Sequence, residues 1–164
     1  MVPAVSKAPA PTIRRATAND LPALQALLQL YYREGDVQHS DNEQSLVATL
    51  NQHPYGFFLA QSSSNEIAGC VLFRALDIPQ AAECKRLFVP PQFRGHNLAA
   101  RLMDTLEDTA RAANLRWLYL DSKDNFQAAI AMYRRRGYID TPRYNQNPEA
   151  TLFLRKDLAV HGTD

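Results

Sequence analysis

Apolar side chains recur along the chain at two periods, and each period predicts a kind of element. Leu24, Leu27, Leu28 and Tyr31 share one face at helical spacing. Asp20 stands at the N-cap position of that helix, Pro22 falls in its first turn, and Gly35 ends it. Ser40-x-x-Glu43 reads as a capping box before a second helix carrying Leu46, Val47 and Leu50. Leu98, Leu102, Leu106 and Ala110 recur every four residues and predict a helix over 95–113 that packs on a sheet. A helix over 126–136 stops at Gly137, a left-handed C-terminal cap. Strand-like runs cover 12–17, 56–61, 67–76, 82–89, 115–121, 138–140 and 151–158, with a hairpin turn at 62–65. The 115–121 run suits a strand buried on both faces. The order β-α-α-β-β-β-α-β-α-β-β predicts an α/β fold, a mixed sheet with helices on both faces. Residues 1–11, rich in Pro and Ala, read as a flexible extension, and 159–164 as a tail.

Composition narrows the function classes. A chain of 164 residues, 46% hydrophobic, is one ordinary domain with a real core. The net charge of +1 offers no broad basic field, so nucleic acid is not the expected partner. The apolar runs are too short to span a bilayer, and no apolar h-region follows Lys7, so neither a membrane partner nor a secretory signal is expected and the reading is cytoplasmic. Cys70 and Cys84 lack metal-ligand spacing and sit in predicted strands, where they read as two buried thiols rather than a disulfide. No metal is expected.

The stretch from Leu87 to Ala99 carries the most chemistry. An apolar strand runs into Pro90-Pro91, then Gln92-x-x-Gly95, then a helix. The first N–H groups of a helix lack intrahelical acceptors, and its dipole favours negative charge, so this loop is an anion cradle suited to a pyrophosphate.

This spacing resembles the acyl-CoA loop of the GNAT superfamily of N-acyltransferases, Gln/Arg-x-x-Gly-x-Gly/Ala. Gln92, Arg94 and Gly95 match it; Asn97 stands at the second small position, and Ala99 replaces a common glycine. A second block, Ala129-Ile130-Ala131-Met132-Tyr133-Arg134-Arg135-Arg136-Gly137-Tyr138, is similar to a run on the fourth helix of many bacterial members. The tail Tyr144-Asn145-Gln146-Asn147-Pro148, followed by Phe153, resembles one bacterial branch whose substrates are mostly unassigned. The resemblance covers about 12–158. It implies a mostly antiparallel sheet whose central parallel strand pair splays to hold CoA, with transfer of an acetyl group from acetyl-CoA to a primary amine of a small molecule or peptide by direct attack in a ternary complex. A monomer or homodimer is expected. The alternative is a CoA-binding regulatory module without transfer activity, suggested by Asn97 and Ala99.

The resemblance also implies roles for single residues. Backbone of Leu87, Phe88 and Val89 would pair with pantetheine as an added strand does. Gln92, Arg94, Gly95, His96, Asn97, Leu98 and Ala99 would form the pyrophosphate cradle, with His96 either a donor or an exposed loop residue. Tyr133 would protonate the departing thiolate, against the plainer role of a packed aromatic. Glu83 is either a proton acceptor for the attacking amine or a strand-edge charge. Lys85 and Arg86 alternate sides of their strand, so one of the two faces substrate. On the first helix, Tyr31 suits the core, and Tyr32, turned away from Leu24 and Leu28, is the expected substrate contact. Arg134–Arg136 reads as a solvated helix end, and Asn125 receives no role.

Overall fold

The structure, a computed structural model, describes residues 9–159; most of the extension expected over 1–11 and of the tail expected over 159–164 lies outside them. Seven strands form one sheet in the order β1-β2-β3-β4-β5-β7-β6. They are β1 (Thr12–Arg15), β2 (Gly56–Gln61), β3 (Ile67–Ala75), β4 (Ala81–Phe88), β5 (Trp117–Ser122), β6 (Ile139–Asp140) and β7 (Leu152–Asp157). Only β4 and β5 pair in parallel; the other pairs are antiparallel. The helices are α1 (Leu21–Glu34), α2 (Glu43–Leu50), α3 (Leu98–Ala112) and α4 (Gln127–Arg135).

The period of two along the strands sorts the core into two layers. Phe57 and Leu59 of β2, with Cys70 and Leu72 of β3, pack under Leu24, Leu27 and Leu28 of α1 and Leu46 of α2. Their neighbours Phe58, Ala60, Val71 and Phe73 face the other way, onto Leu98, Leu102, Leu106 and Ala110 of α3 and Tyr133 of α4. The four-residue stripe expected for α3 is the stripe that is buried. Cys70 and Cys84 are free, buried thiols, one in each layer.

Local chemistry explains where elements begin and end. Gly137 takes φ +95°, and the N–H groups of Gly137 and Tyr138 return to the carbonyls of Arg134 and Tyr133 at 3.1 Å each, closing α4 as expected. Three expectations are corrected. The N-cap of α2 is Asn42, not Ser40: Asn42 Oδ1 accepts from the Ser45 N–H at 2.8 Å. Asp20 occupies the N-cap of α1 as expected, but its side chain does not cap that helix: Arg14 takes both its oxygens at 2.7 and 2.8 Å, and the Thr17 N–H donates to it in the capping box of the preceding 3-10 turn. Finally, α3 starts at Leu98 rather than at 95: Gly95 at φ +90° and Asn97 at φ +60° are both left-handed and keep the chain out of the helix.

One irregularity positions the site. Between β3 and β4 the register steps from Leu72–Lys85 to Cys70–Phe88, so β4 carries one extra residue. The bulge coincides with Arg86 at φ +58°. It moves Phe88 onto the α1 layer, where strict alternation from Cys84 would have put it on the α3 layer.

Candidate active site

The parallel ladder of β4 and β5 stops at Cys84–Leu120. Beyond it β4 runs on through Phe88 and β5 through Ser122 without pairing with each other, and the sheet opens between them. A cavity of about 530 Å³ fills the opening. Its walls come from the α1–α2 loop (Gln38, His39), β3 (Arg74), β4 (Lys85, Leu87), β5 (Asp121), α4 (Tyr133) and the loop before β7 (Asn147, Glu149). A second hollow of about 410 Å³ lies at the start of α3, lined by Val89, Arg94, Gly95, Asn97, Leu98, Ala99 and the end of α4. Leu87 borders the first and Val89 the second, and α4 borders both, so the free edge of β4 leads from one to the other.

The second hollow fits a phosphate-bearing ligand. Six consecutive backbone N–H groups, from Gly95 to Ala100, have no acceptor among the described residues; the first donor in line is Arg101, to the Asn97 carbonyl at 3.1 Å. A Cβ built on Gly95 would meet nothing within 4 Å, so the space above it is open, and its φ of +90° is what demands glycine. Orphaned donors at a helix start, with Arg135 beside them, are the physical requirements for binding a pyrophosphate; Arg136, also at the rim, is held by Asp104 and Glu107.

The family model described as the Acetyltransferase (GNAT) family matches residues 21–138. The chain belongs to this family. It is therefore an acyltransferase whose fold and enzyme class agree with its sequence blocks. It is 31% identical over 151 residues to the IAA acetyltransferase of Azospirillum brasilense, covering 90% of this chain and 97% of that protein. It is 27% identical to an uncharacterized N-acetyltransferase of Schizosaccharomyces pombe, over 85% of this chain and 90% of that protein. Among solved structures, a GNAT acetyltransferase of Staphylococcus aureus superposes with TM-score 0.81 at 19% identity, covering 91% of this chain and 99% of that one. The PaiA N-acetyltransferase of Thermoplasma acidophilum, solved in complex with coenzyme A, gives TM-score 0.72 at 14% identity, over 91% and 99% of the two chains. These two show the fold.

Within this acetyltransferase the expected residues fall into place unevenly. Gly95, Asn97, Leu98 and Ala99 line the cradle; Gln92 sits exposed on a 3-10 turn and His96 is exposed, and neither side chain lines it. Arg94 lines the hollow, but its guanidinium is committed to the Val89 carbonyl at 2.9 Å and to Glu34. Phe88 is buried under α1, while Leu87 and Val89 border the two hollows. Tyr133 is 6% exposed, lines the larger cavity, and makes no hydroxyl hydrogen bond to any described residue. Burial pushes its phenol well above its ordinary range, so it stays protonated.

The first-helix tyrosines lie the other way round from the expectation. Tyr32 is buried with Leu24 and Leu28, its hydroxyl bonded to the Asp41 carboxylate and accepting from the Asp41 N–H at 2.9 Å. Tyr31 lines the cavity, stacked on Phe126 at 5.9 Å and 9°. Lys85 and Arg86 both line it, because the bulge cancels alternation; Arg86 pairs with Asp41 at 2.9 Å. Glu83 is 3% exposed and does not line the cavity: Tyr144 Oη donates to it at 2.6 Å and Asn145 Nδ2 at 3.1 Å. Two carboxylates line the cavity: Glu149, engaged by the Gln38 and His39 N–H groups and by Lys123, and Asp121, the last residue of the strand expected over 115–121. Lys85 Nζ lies 2.8 Å from Asp121 Oδ2 and 3.7 Å from Glu83 Oε2. Asn145 and Asn147 also donate to Asp121 Oδ2, at 2.5 and 3.3 Å. Asp121 Oδ1 accepts from no described residue. The run Tyr144-Asn145-Gln146-Asn147, visible in the sequence, was the signal for this cluster.

Proposed function

We propose that the protein transfers an acetyl group from acetyl-CoA to a primary amine of a small molecule or peptide, by direct attack with both substrates bound. The observation that carries this reading is the opening between β4 and β5, which joins an anion cradle to a cavity holding both a free phenol and a free carboxylate oxygen. Acetyl-CoA supplies the thioester carbonyl and a thiol leaving group. The N–H groups from Gly95 to Ala100 hold its phosphates, and the unpaired edge of Leu87 to Val89 aligns its pantetheine arm. An amine must be neutral to attack, so the site must first take a proton from its ammonium. Glu83 and Asp121 share that work as one cluster with Lys85, Asp121 being the member that faces the amine. The bond from amine nitrogen to carbonyl carbon forms as the carbon–sulfur bond breaks. The carboxylate cluster passes the first proton to solvent and accepts the second, which the nitrogen sheds as it becomes an amide, while Tyr133 gives its proton to the sulfur and recovers one from solvent. Holding both reactants in line supplies much of the rate.

The relatives named as acetyltransferases support the reading. The test is release of free CoA thiol when purified protein is given acetyl-CoA and a panel of amines, amino acids and peptides. Intersecting initial-rate lines are expected for direct attack. Parallel lines would mean that an acyl-enzyme forms, and release without any acceptor dependence would remove the transfer reading.

A further inference from the structure

At the cavity wall one carboxylate oxygen and one arginine have no partner among the described residues. On the negative side, Glu83, Lys85 and Asp121 place two carboxylates and one ammonium together, with side chains 4%, 9% and 7% exposed. Burying a net negative charge is costly unless a cation completes it. Every contact to Asp121 goes to Oδ2, which leaves Oδ1 for a ligand. On the positive side, the other lining cations are matched: Arg86 with Asp41, Lys123 with Glu149 and Lys85 with Asp121. Arg74, exposed at the end of β3 and part of the cavity wall, makes no hydrogen bond or ion pair with any described residue, so its guanidinium is open to a ligand. Leu72, Arg74, Glu83 and Lys85 share one face of the sheet, since Leu72 pairs with Lys85 and Arg74 with Glu83 in register.

We infer that the acceptor is an amino-carboxylate, a molecule carrying both an ammonium and an acidic group, with the nitrogen at Asp121 Oδ1 and the acid at Arg74. This rests on the transfer reading above and deepens it. A planar guanidinium takes a carboxylate through two parallel N–H···O bonds, which fixes orientation as well as charge. The two contacts together would aim the nitrogen from the β3 side of the cavity toward the opening beside Tyr133. A plain amine satisfies only the Asp121 end and is held less firmly for attack. The stacked rings of Tyr31 and Phe126 offer an apolar wall for whatever side group the acceptor carries.

Matched pairs decide it: L-phenylalanine against phenethylamine, L-leucine against isopentylamine, L-lysine against cadaverine, and 4-aminobutyrate against butylamine. The parent enzyme should favour the acid-bearing member of at least one pair by tenfold or more in kcat/KM. Arg74→Gln should collapse that ratio at least fivefold, Arg74→Glu should invert it, and Arg74→Lys should restore part of it. Acetyl-CoA affinity, read by titration, is the folding control and should stay within twofold in all three variants. Plain amines turning over as well as or better than their acids in the parent would overturn the inference while leaving the transfer reading standing. An acid preference unmoved by Arg74→Gln would equally overturn it. Acetyl-CoA binding with no turnover of any member of any pair would overturn the transfer reading, and this inference with it.

Discussion

Tyr144 donates its hydroxyl to Glu83 Oε2 at 2.6 Å, across 61 positions of chain. The bond changes the meaning of Glu83. A carboxylate at the start of a strand beside the cofactor loop invites the role of a free base. Here a loop from the far end of the domain covers it, and burial beside that carboxylate pushes the Tyr144 phenol up so that it remains a donor. In the proposed reaction Glu83 acts through the cluster it forms with Lys85 and Asp121.

Removing that donor tests the cluster's structural side. Tyr144→Phe keeps the ring, which packs edge-on against Tyr119 at 4.9 Å, and deletes only the hydroxyl. A buried carboxylate losing a hydrogen bond should cost about 1–3 kcal/mol of stability. Urea unfolding of the two proteins measures it, and an unchanged midpoint would show that water replaces the phenol at no cost.

Tyr133→Phe tests the chemistry. The hydroxyl has no described partner to lose, so stability and acetyl-CoA affinity should hold. Turnover on an accepted amine should fall at least roughly tenfold, since general acid catalysis is typically worth ~10²–10⁴. Burial keeps the phenol protonated, so the parent's rate should show no loss from its ionisation up to about pH 10. Full activity in the Phe variant would reduce Tyr133 to packing.

The cradle separates backbone strain from charge. Gly95→Ala meets no neighbour within 4 Å but forces a side chain to φ +90°, so a modest stability loss and weakened acetyl-CoA binding are expected. Gly95→Glu adds a like charge at the phosphate position and should abolish binding. Titration with acetyl-CoA distinguishes them; equal affinity in parent and Glu variant would move the pyrophosphate elsewhere.

Asp20 predicts an acid-sensitive contact far from the cavity. The Arg14 guanidinium holds its carboxyl down at about 2, against an ordinary 3.8. The depressed value means that its stabilisation is present above about pH 4 and disappears as pH falls through about 2. The side chain is 11% exposed, so the contribution is on the order of 2 kcal/mol. Asp20→Asn should be less stable than the parent at pH 6, and the gap should close by pH 2 in denaturant melts.

Much of this protein was legible locally. The order of elements, the buried stripe of α3 and the Gly137 cap all follow from propensity, period and turn chemistry over a few residues, whereas the left-handed turn at Gly95 and Asn97 delays α3 by three residues beyond the expected start. Asn97 was readable as a departure, and its left-handed conformation shows how the loop accommodates it. The family was legible in two blocks, one in the loop between β4 and α3 and the other on α4, and the family model matches residues 21–138.

The exchange of Tyr31 and Tyr32, the bulge at Arg86 and the Glu83–Lys85–Asp121 cluster were decided by tertiary structure alone. Two adjacent residues on a helix both lie near its apolar face, and which one is core depends on where Asp41 meets the Tyr32 hydroxyl. Strict alternation along β4 assigned one of Lys85 and Arg86 to the cavity; a single extra residue, invisible without β3 beside it, gave it both. Which carboxylate is free and which is covered depends on a loop more than 60 residues away in Glu83's case. Period and capping are properties of neighbours in sequence, whereas a net charge left over in a cavity is a property of neighbours in space.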